Sequence, residues 1–212
     1  MDRFALLLLG PIEPTPALRA ALAGRRIIAA DGGIAHAATL DLAPELWIGD
    51  FDSVPADLPA ALAATVREAV PQDKDETDAE LAAEAAIARG ARDLLIVGGL
   101  RGERSDHAFS NLVLAQRYAA RGLRVELFDG REHAVPLGPQ PISFHCEPGA
   151  PFSILRFGDV EGLTVSGARW PLAAVDLPFG SVLTQSNEAL GPIEVSVRHG
   201  DAVLLVQAAH CH

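Results

Sequence analysis

Over residues 1 to about 131, short apolar runs alternate with alanine-rich stretches at helical spacing, the pattern of βα units feeding a largely parallel sheet. Phe4–Leu9, Ile27–Ala30, Leu46–Ile48, Leu94–Val97 and Val125–Phe128 read as strands. Thr15 as N-cap, Pro16 at the first helical position and Gly24 past the end predict one helix. Thr77 with Glu80 three residues on is a capping box for a second helix, which closes at Gly90. A third is predicted from about Asp106 to Arg121, with Leu112, Ala115 and Ala119 at helical spacing and Gly122 as the stop.

After Arg131 the periodicity changes. Pro and Gly punctuate short apolar segments, Ile142–His145, Phe152–Phe157, Leu163–Val165, Ser181–Thr184, Ile193–Val197 and Ala202–Val206, with no helix-length repeat between them. The expectation is an α/β domain over 1–131 followed by a small antiparallel β sandwich over 132–212, with Gly130–Gln140 as the linker.

Composition narrows the class. The 212 residues are 49% apolar and 21% charged, enough for a core and unlike a disordered chain. Seventeen basic against 28 acidic residues leave −11, which opposes binding nucleic acid through a general basic surface. The longest early apolar run, Phe4–Leu9, is far short of the ~20 residues of a membrane span, and no signal-peptide pattern follows it. Cys146 and Cys211, 65 positions apart, form neither a disulfide framework nor a Cys-x-x-Cys pair, which fits a reducing cytoplasm. His145-Cys146 and His210-Cys211-His212 are read as a strand histidine beside a buried thiol and a mobile tail in preference to soft-metal ligands.

Candidate chemistry falls in three clusters. Gly49-Asp50-Phe51-Asp52-Ser53 follows a strand directly, and on an extended segment Asp50 and Asp52 point to one side and Phe51 to the other. Two carboxylates at a strand's carboxyl end suit a hard cation such as Mg²⁺, and the competing reading is a solvated turn. Asp73-Lys74-Asp75-Glu76-Thr77-Asp78 precedes the second helix. Capping explains Thr77, Asp78 and Glu80, whereas Asp73 and Asp75 are better explained as further metal donors and Lys74 as a point charge for phosphate. The third, Gly98-Gly99-Leu100-Arg101-Gly102-Glu103-Arg104-Ser105-Asp106-His107, is a glycine-rich loop before a helix, suited to cradling phosphate but matching no nucleotide-binding fingerprint. Asp31-Gly32-Gly33 at another strand end is a weaker signal of the same kind.

In this order the stretches resemble the thiamine pyrophosphokinase family. The resemblance rests on Ala30–His36, Gly49–Ser53, Lys74–Leu81, Gly102–His107 with Asn111, Gly162–Thr164, Trp170–Leu172 and Ser186–Glu188. It implies pyrophosphoryl transfer from ATP to thiamine with release of AMP, in a homodimer with the thiamine pocket between subunits. It implies Mg²⁺ at Asp50, Asp52, Asp75 and Asp78, and ATP near Asp31, Gly32, Gly33, Lys74, Arg104 and Asp106. It places thiamine near Trp170, Thr184, Ser186 and Asn187. Asp50, Asp52, Asp78 and Asp106 are the catalytic candidates, with Asp78 or Asp106 open as the proton acceptor.

Two departures from the family pattern stand in the glycine-rich loop, Arg101 and Glu103. A carboxylate beside phosphate is repulsive, so Glu103 is expected to point away or pair with Arg101. Two other functions fit parts of the pattern. A pterin-directed pyrophosphokinase would lose the stretch around Trp170, Ser186 and Asn187, and a non-catalytic nucleotide-sensing module would lose one of the carboxylates. Trp47 and Phe51 are expected in the core.

Overall fold

The structure, a computed structural model, describes residues 2–51, 57–70 and 76–212. It divides into two compact units, Met1–Gly130 and Arg131–His212.

Among the described residues of the first unit six strands, β1 (Asp2–Leu7), β2 (Arg26–Ala30), β3 (Leu46–Gly49), β4 (Arg67–Ala69), β5 (Ala91–Val97) and β6 (Arg124–Phe128), lie in the order β6-β5-β1-β2-β3-β4. Every pairing among them is parallel. Among the described residues the helices that connect them are α1 (Pro16–Leu22), α2 (Ile34–Leu40), α3 (Ala60–Ala63), α4 (Asp78–Ala88) and α5 (Ser105–Ala120). Parallel strands need such crossovers, and burial on both faces explains why β1 and β5 each end in four consecutive buried residues.

The caps act as the residue types dictate. Thr15 Oγ1 accepts from Leu18 N at 3.2 Å, and Thr77 Oγ1 accepts from Glu80 N at 3.2 Å. Only half of the capping box forms at α4, because the Glu80 carboxylate pairs with Arg117. The sequence pattern had no signal for α3 or β4, which are four and three residues long.

The second unit is entirely antiparallel among its strands. These are β7 (Glu132–Pro136), β8 (Ile142–Phe144), β9 (Pro151–Arg156), β10 (Val160–Ala168), β11 (Leu172–Leu177), β12 (Asn187–Ser196) and β13 (Ala202–Gln207). One sheet runs β7-β13-β9, the other β8-β12-β10-β11, and β12 joins both, pairing Asn187 and Glu188 with β9 before it continues beside β10 and β8. Phe152, Ile154, Leu163, Val165, Ile193, Val195, Leu204 and Val206 bury one common core. The α/β unit followed by an antiparallel β region is the expected fold class.

Three local expectations are corrected. The expected linker contains β7, whose five residues all pair with β13. Ser181–Thr184 is loop, because the Arg156 guanidinium gathers the carbonyls of Leu177, Pro178 and Ser181 there. The expected free thiol and mobile tail are replaced by a Cys146–Cys211 disulfide flanked by backbone bonds between His145 and His212 of 2.8 and 2.9 Å. Sequence separation gave no hint of this pairing, which depends on the sandwich folding back on itself. Among the described residues no helix is long and apolar enough to cross a membrane.

Candidate active site

The first unit's strand order sets where a ligand fits. From β1 the chain builds outward through β2, β3 and β4, then crosses back to place β5 on the other side of β1. The carboxyl ends of β1 and β5 therefore flank a topological switch point, the usual ligand position in open α/β sheets.

Backbone dominates that edge. Leu8 N donates to Val97 O at 2.8 Å and Gly10 N to Gly98 O at 3.0 Å. Gly98 has φ +73°, and a side chain there would strike the carbonyls of Leu8 and Gly10. The Asn111 amide on α5 donates to Gly99 O at 3.0 Å from a buried position, and His36 Nε2 lies 2.8 Å from Gly10 O. Asn111 and His36, quoted in the sequence motifs for their residue type, thus hold the loops that end β1 and β5.

Beside the switch point, β2 delivers Asp31 into a 3₁₀ turn at φ +44°, a conformation that Asp tolerates better than most residues. The fully buried Trp47 pins it, its indole N–H donating to Asp31 O at 2.8 Å. A Cβ on Gly33 would collide with the carbonyl of Leu7, so α2 begins against β1 only because glycine stands there. The next strand delivers Asp50, half-buried, and a Cβ on Gly49 would stand 3.1 Å from Asp31 Cα and Cβ. Two carboxylate residues on adjacent strand ends are thereby brought close in space.

The extended alternation expected after Asp50 does not hold. Phe51 has φ +61°, and its ring meets Trp47 edge-on at 5.0 Å, with the Arg67 guanidinium 4.4 Å from the Trp47 ring and 5.3 Å from that of Phe51. Aromatic packing turns the chain there, which strand periodicity could not reveal. Asp52 lies outside the described residues, as do Lys74 and Asp75. Asp78 is the first residue of α4, half-buried behind the Thr77 cap, where a carboxylate interacts favourably with the helix dipole.

The Arg104 guanidinium, at the N-terminal end of α5, bonds both carboxylate oxygens of Asp106 at 3.3 and 2.6 Å, with both side chains exposed. That hydrogen bond holds the Asp106 carboxyl below its ordinary range and raises the Arg104 pKa. An acid so paired is a weaker proton acceptor. Arg101 does not pair with Glu103. Its Nε donates at 2.6 Å to Asp129, a fully buried carboxylate at the end of β6, while Glu103 is exposed. Arg101 thus serves the packing of the loop, a role that nothing in the local sequence distinguishes from phosphate binding.

In the second unit Asn187 clamps the loop that carries Trp170. Its amide donates to Trp170 O at 2.9 Å and its carbonyl accepts from Trp170 N at 3.2 Å. The Trp170 side chain remains exposed, with 52% of the residue's surface open and the Arg169 guanidinium 4.9 Å from its ring. Thr184 is buried and donates to Ile154 O at 2.8 Å. Ser186, at φ +56°, is exposed and held by a bond from its N–H to Ser153 Oγ at 3.0 Å. Thr184 and Asn187 therefore spend polar atoms on the fold, and Trp170 and Ser186 offer theirs outward.

An open parallel sheet with a switch point and oxygen donors at its carboxyl edge is the build of an α/β nucleotide-binding protein. Comparison with known proteins defines it further. Residues 21–127 match the model of the thiamin pyrophosphokinase catalytic domain, and residues 142–201 that of the thiamin pyrophosphokinase vitamin B1 binding domain. The chain belongs to the thiamin pyrophosphokinase family. It is 26% identical over 167 residues to thiamine pyrophosphokinase of Bacillus subtilis, covering 77% of this chain and 78% of that one. The crystal structure of a Bacillus subtilis thiamine pyrophosphokinase superposes with a TM-score of 0.84 at 23% identity, over 97% of this chain and 99% of that one. That of Geobacillus thermodenitrificans gives 0.78 at 25%, over 98% and 97%. That from Candida albicans gives 0.73 at 14%, over 97% and 89%, a likeness of fold.

Proposed function

We infer that the chain is an ATP-dependent thiamine diphosphokinase, transferring the pyrophosphoryl group of ATP to the hydroxyl of thiamine to give thiamine diphosphate and AMP. The observation that carries this is the pairing of a catalytic-domain match on the α/β unit with a vitamin B1 binding-domain match on the β unit. Neither the pterin-directed alternative nor the sensing module finds support.

In this reading the phosphates lie along the switch-point edge near Gly32, Gly33 and the Gly98–Gly99 turn, with Lys74 and Arg104 supplying positive charge. The thiamine hydroxyl oxygen bonds to the β-phosphorus, the bond from that phosphorus to the α,β-bridging oxygen breaks, and AMP leaves with that oxygen. The hydroxyl proton passes to a carboxylate, with Asp78 and Asp106 the candidates. Catalysis is then mainly alignment and charge stabilisation.

The donor chemistry fits Mg²⁺. Asp50 and Asp78 present carboxylates, the hard oxygen donors this cation takes, and Asp52 and Asp75 would complete the set. Bound there, the cation would neutralise phosphate charge. We further propose a homodimer that holds thiamine between subunits. Support comes from the individually exposed Trp170, Phe179, Val182, Leu183 and Leu190 of the second unit, apolar side chains that a partner would cover. A cytoplasmic site of action is proposed from the use of ATP alone, since a Cys146–Cys211 disulfide removes the argument from free thiols.

Incubating the protein with thiamine, ATP and Mg²⁺ and resolving the nucleotide products tests the reaction. AMP formed in step with thiamine diphosphate is expected. ADP with thiamine monophosphate, or no thiamine-dependent turnover, overturns it.

A further inference from the structure

Three segments that meet at the carboxyl edge of the first unit's sheet are tied together by one arginine. After β1, Gly10 lies against the backbone of Gly98 and Arg101, so close that a Cβ there would strike both carbonyls. After β6, Asp129 O accepts from Glu13 N at 2.7 Å, which joins the same β1 loop to β6. Asp129 is fully buried, and a carboxylate taken out of water needs a paired charge. Arg101 supplies it, with Nε 2.6 Å from Asp129 Oδ2 and Nη2 3.8 Å from Glu13 Oε1. Asn111 holds the loop at Gly99, and α5 begins at Ser105, so Arg101 anchors the stretch between them.

We infer that Arg101 is a positioning residue for ATP. Through Asp129 and Glu13 it fixes the middle of the Gly98–Arg104 loop, and so sets where that loop and the Arg104 guanidinium meet the phosphates. The inference rests on the pyrophosphokinase reading of this edge, and it gives a function to one of the two departures from the family pattern. A planar guanidinium suits the task, because its fork can face two carboxylates in one fixed orientation, which a lysine ammonium does not reproduce. A positioning arginine acts only while its carboxylate is intact. An arginine that touches phosphate directly does not need Asp129, so the two roles respond differently to loss of that carboxylate.

ATP binding in the presence of Mg²⁺ is measured by calorimetry without thiamine, alongside KM values and melting temperatures, for Arg101→Gln, Asp129→Asn, the double variant and Arg101→Lys. The double variant leaves neither charge of the pair uncompensated and is expected to melt close to the parent. ATP binding about tenfold weaker is expected in both single variants and in the double, without additivity, and with the thiamine KM unchanged. Arg101→Lys, which keeps the charge and loses the fork, is expected to lie between these and the parent. The control is Arg25→Gln/Asp93→Asn, which removes a largely buried ion pair beside the amino ends of β2 and β5 and is expected to leave ATP binding unchanged. Parent-like ATP affinity in the folded double variant or in Asp129→Asn overturns the inference, as does equal weakening by the control. A parent that binds ATP but forms no AMP overturns the reaction and not this inference. One that binds no ATP overturns both.

Discussion

Trp170 shows how much one side chain's surroundings decide. Beside a proline in a break between strands, it reads on sequence grounds as a substrate-facing ring, slightly ahead of a core filler. Its exposure removes the core reading, and the Asn187 clamp on its backbone shows what holds the loop in place. A ring held outward can stack on an aromatic substrate and attract a thiazolium cation, worth about 0.5–2 kcal/mol. Trp170→Ala is therefore expected to raise the thiamine KM several-fold while leaving the ATP KM and the melting temperature nearly unchanged. A normal thiamine KM in the folded variant would remove Trp170 from the substrate site. The positions of Asp50 after a strand and of Arg104 before a helix were legible from residue type and spacing alone. The partner of Arg101 was not, because Asp129 lies 28 residues away, just past β6.

At the scale of elements, α4 and α5 are joined through the chain's single tyrosine. Tyr118 on α5 is fully buried, its hydroxyl donates to Glu84 on α4 at 2.9 Å, and Arg117 and Arg121 stack near its ring. Burial, with the Glu84 carboxylate adding to it, pushes the phenol up to about 12 from an ordinary value of 10.0. The folded state thus keeps its proton where the unfolded state loses it. Below pH ~10 both states are protonated and the contribution is complete, and it is lost as pH rises towards about 12. Because no other tyrosine is present, tyrosinate absorbance should rise with a midpoint near 12 in the native chain and near 10 in denaturant. A native midpoint near 10 would mean that the helix contact is open. Both helices were legible from Thr77, Gly90 and Gly122, since caps and stops are local chemistry. Short elements such as β4 were not, because three residues carry too little periodicity and their pairing partner supplies the structure.

For the whole molecule, the proposed homodimer would cover the exposed apolar side chains of the second unit. Sedimentation equilibrium is expected to show a dimer, with Leu183→Asp or Leu190→Asp shifting it towards monomer and thiamine turnover falling in parallel. Fully active monomers would refute a pocket between subunits. The sequence by itself determined the change from βα repeats to short strands near residue 131, the helix ends and the carboxylates that follow β3, because each depends on neighbours within a few positions. Only tertiary structure decided that Phe51 folds onto Trp47, that Ser181–Thr184 wraps Arg156 and that Cys146 meets Cys211. Those outcomes depend on contacts between residues distant along the chain, whose energies are realised only after the sheets have formed.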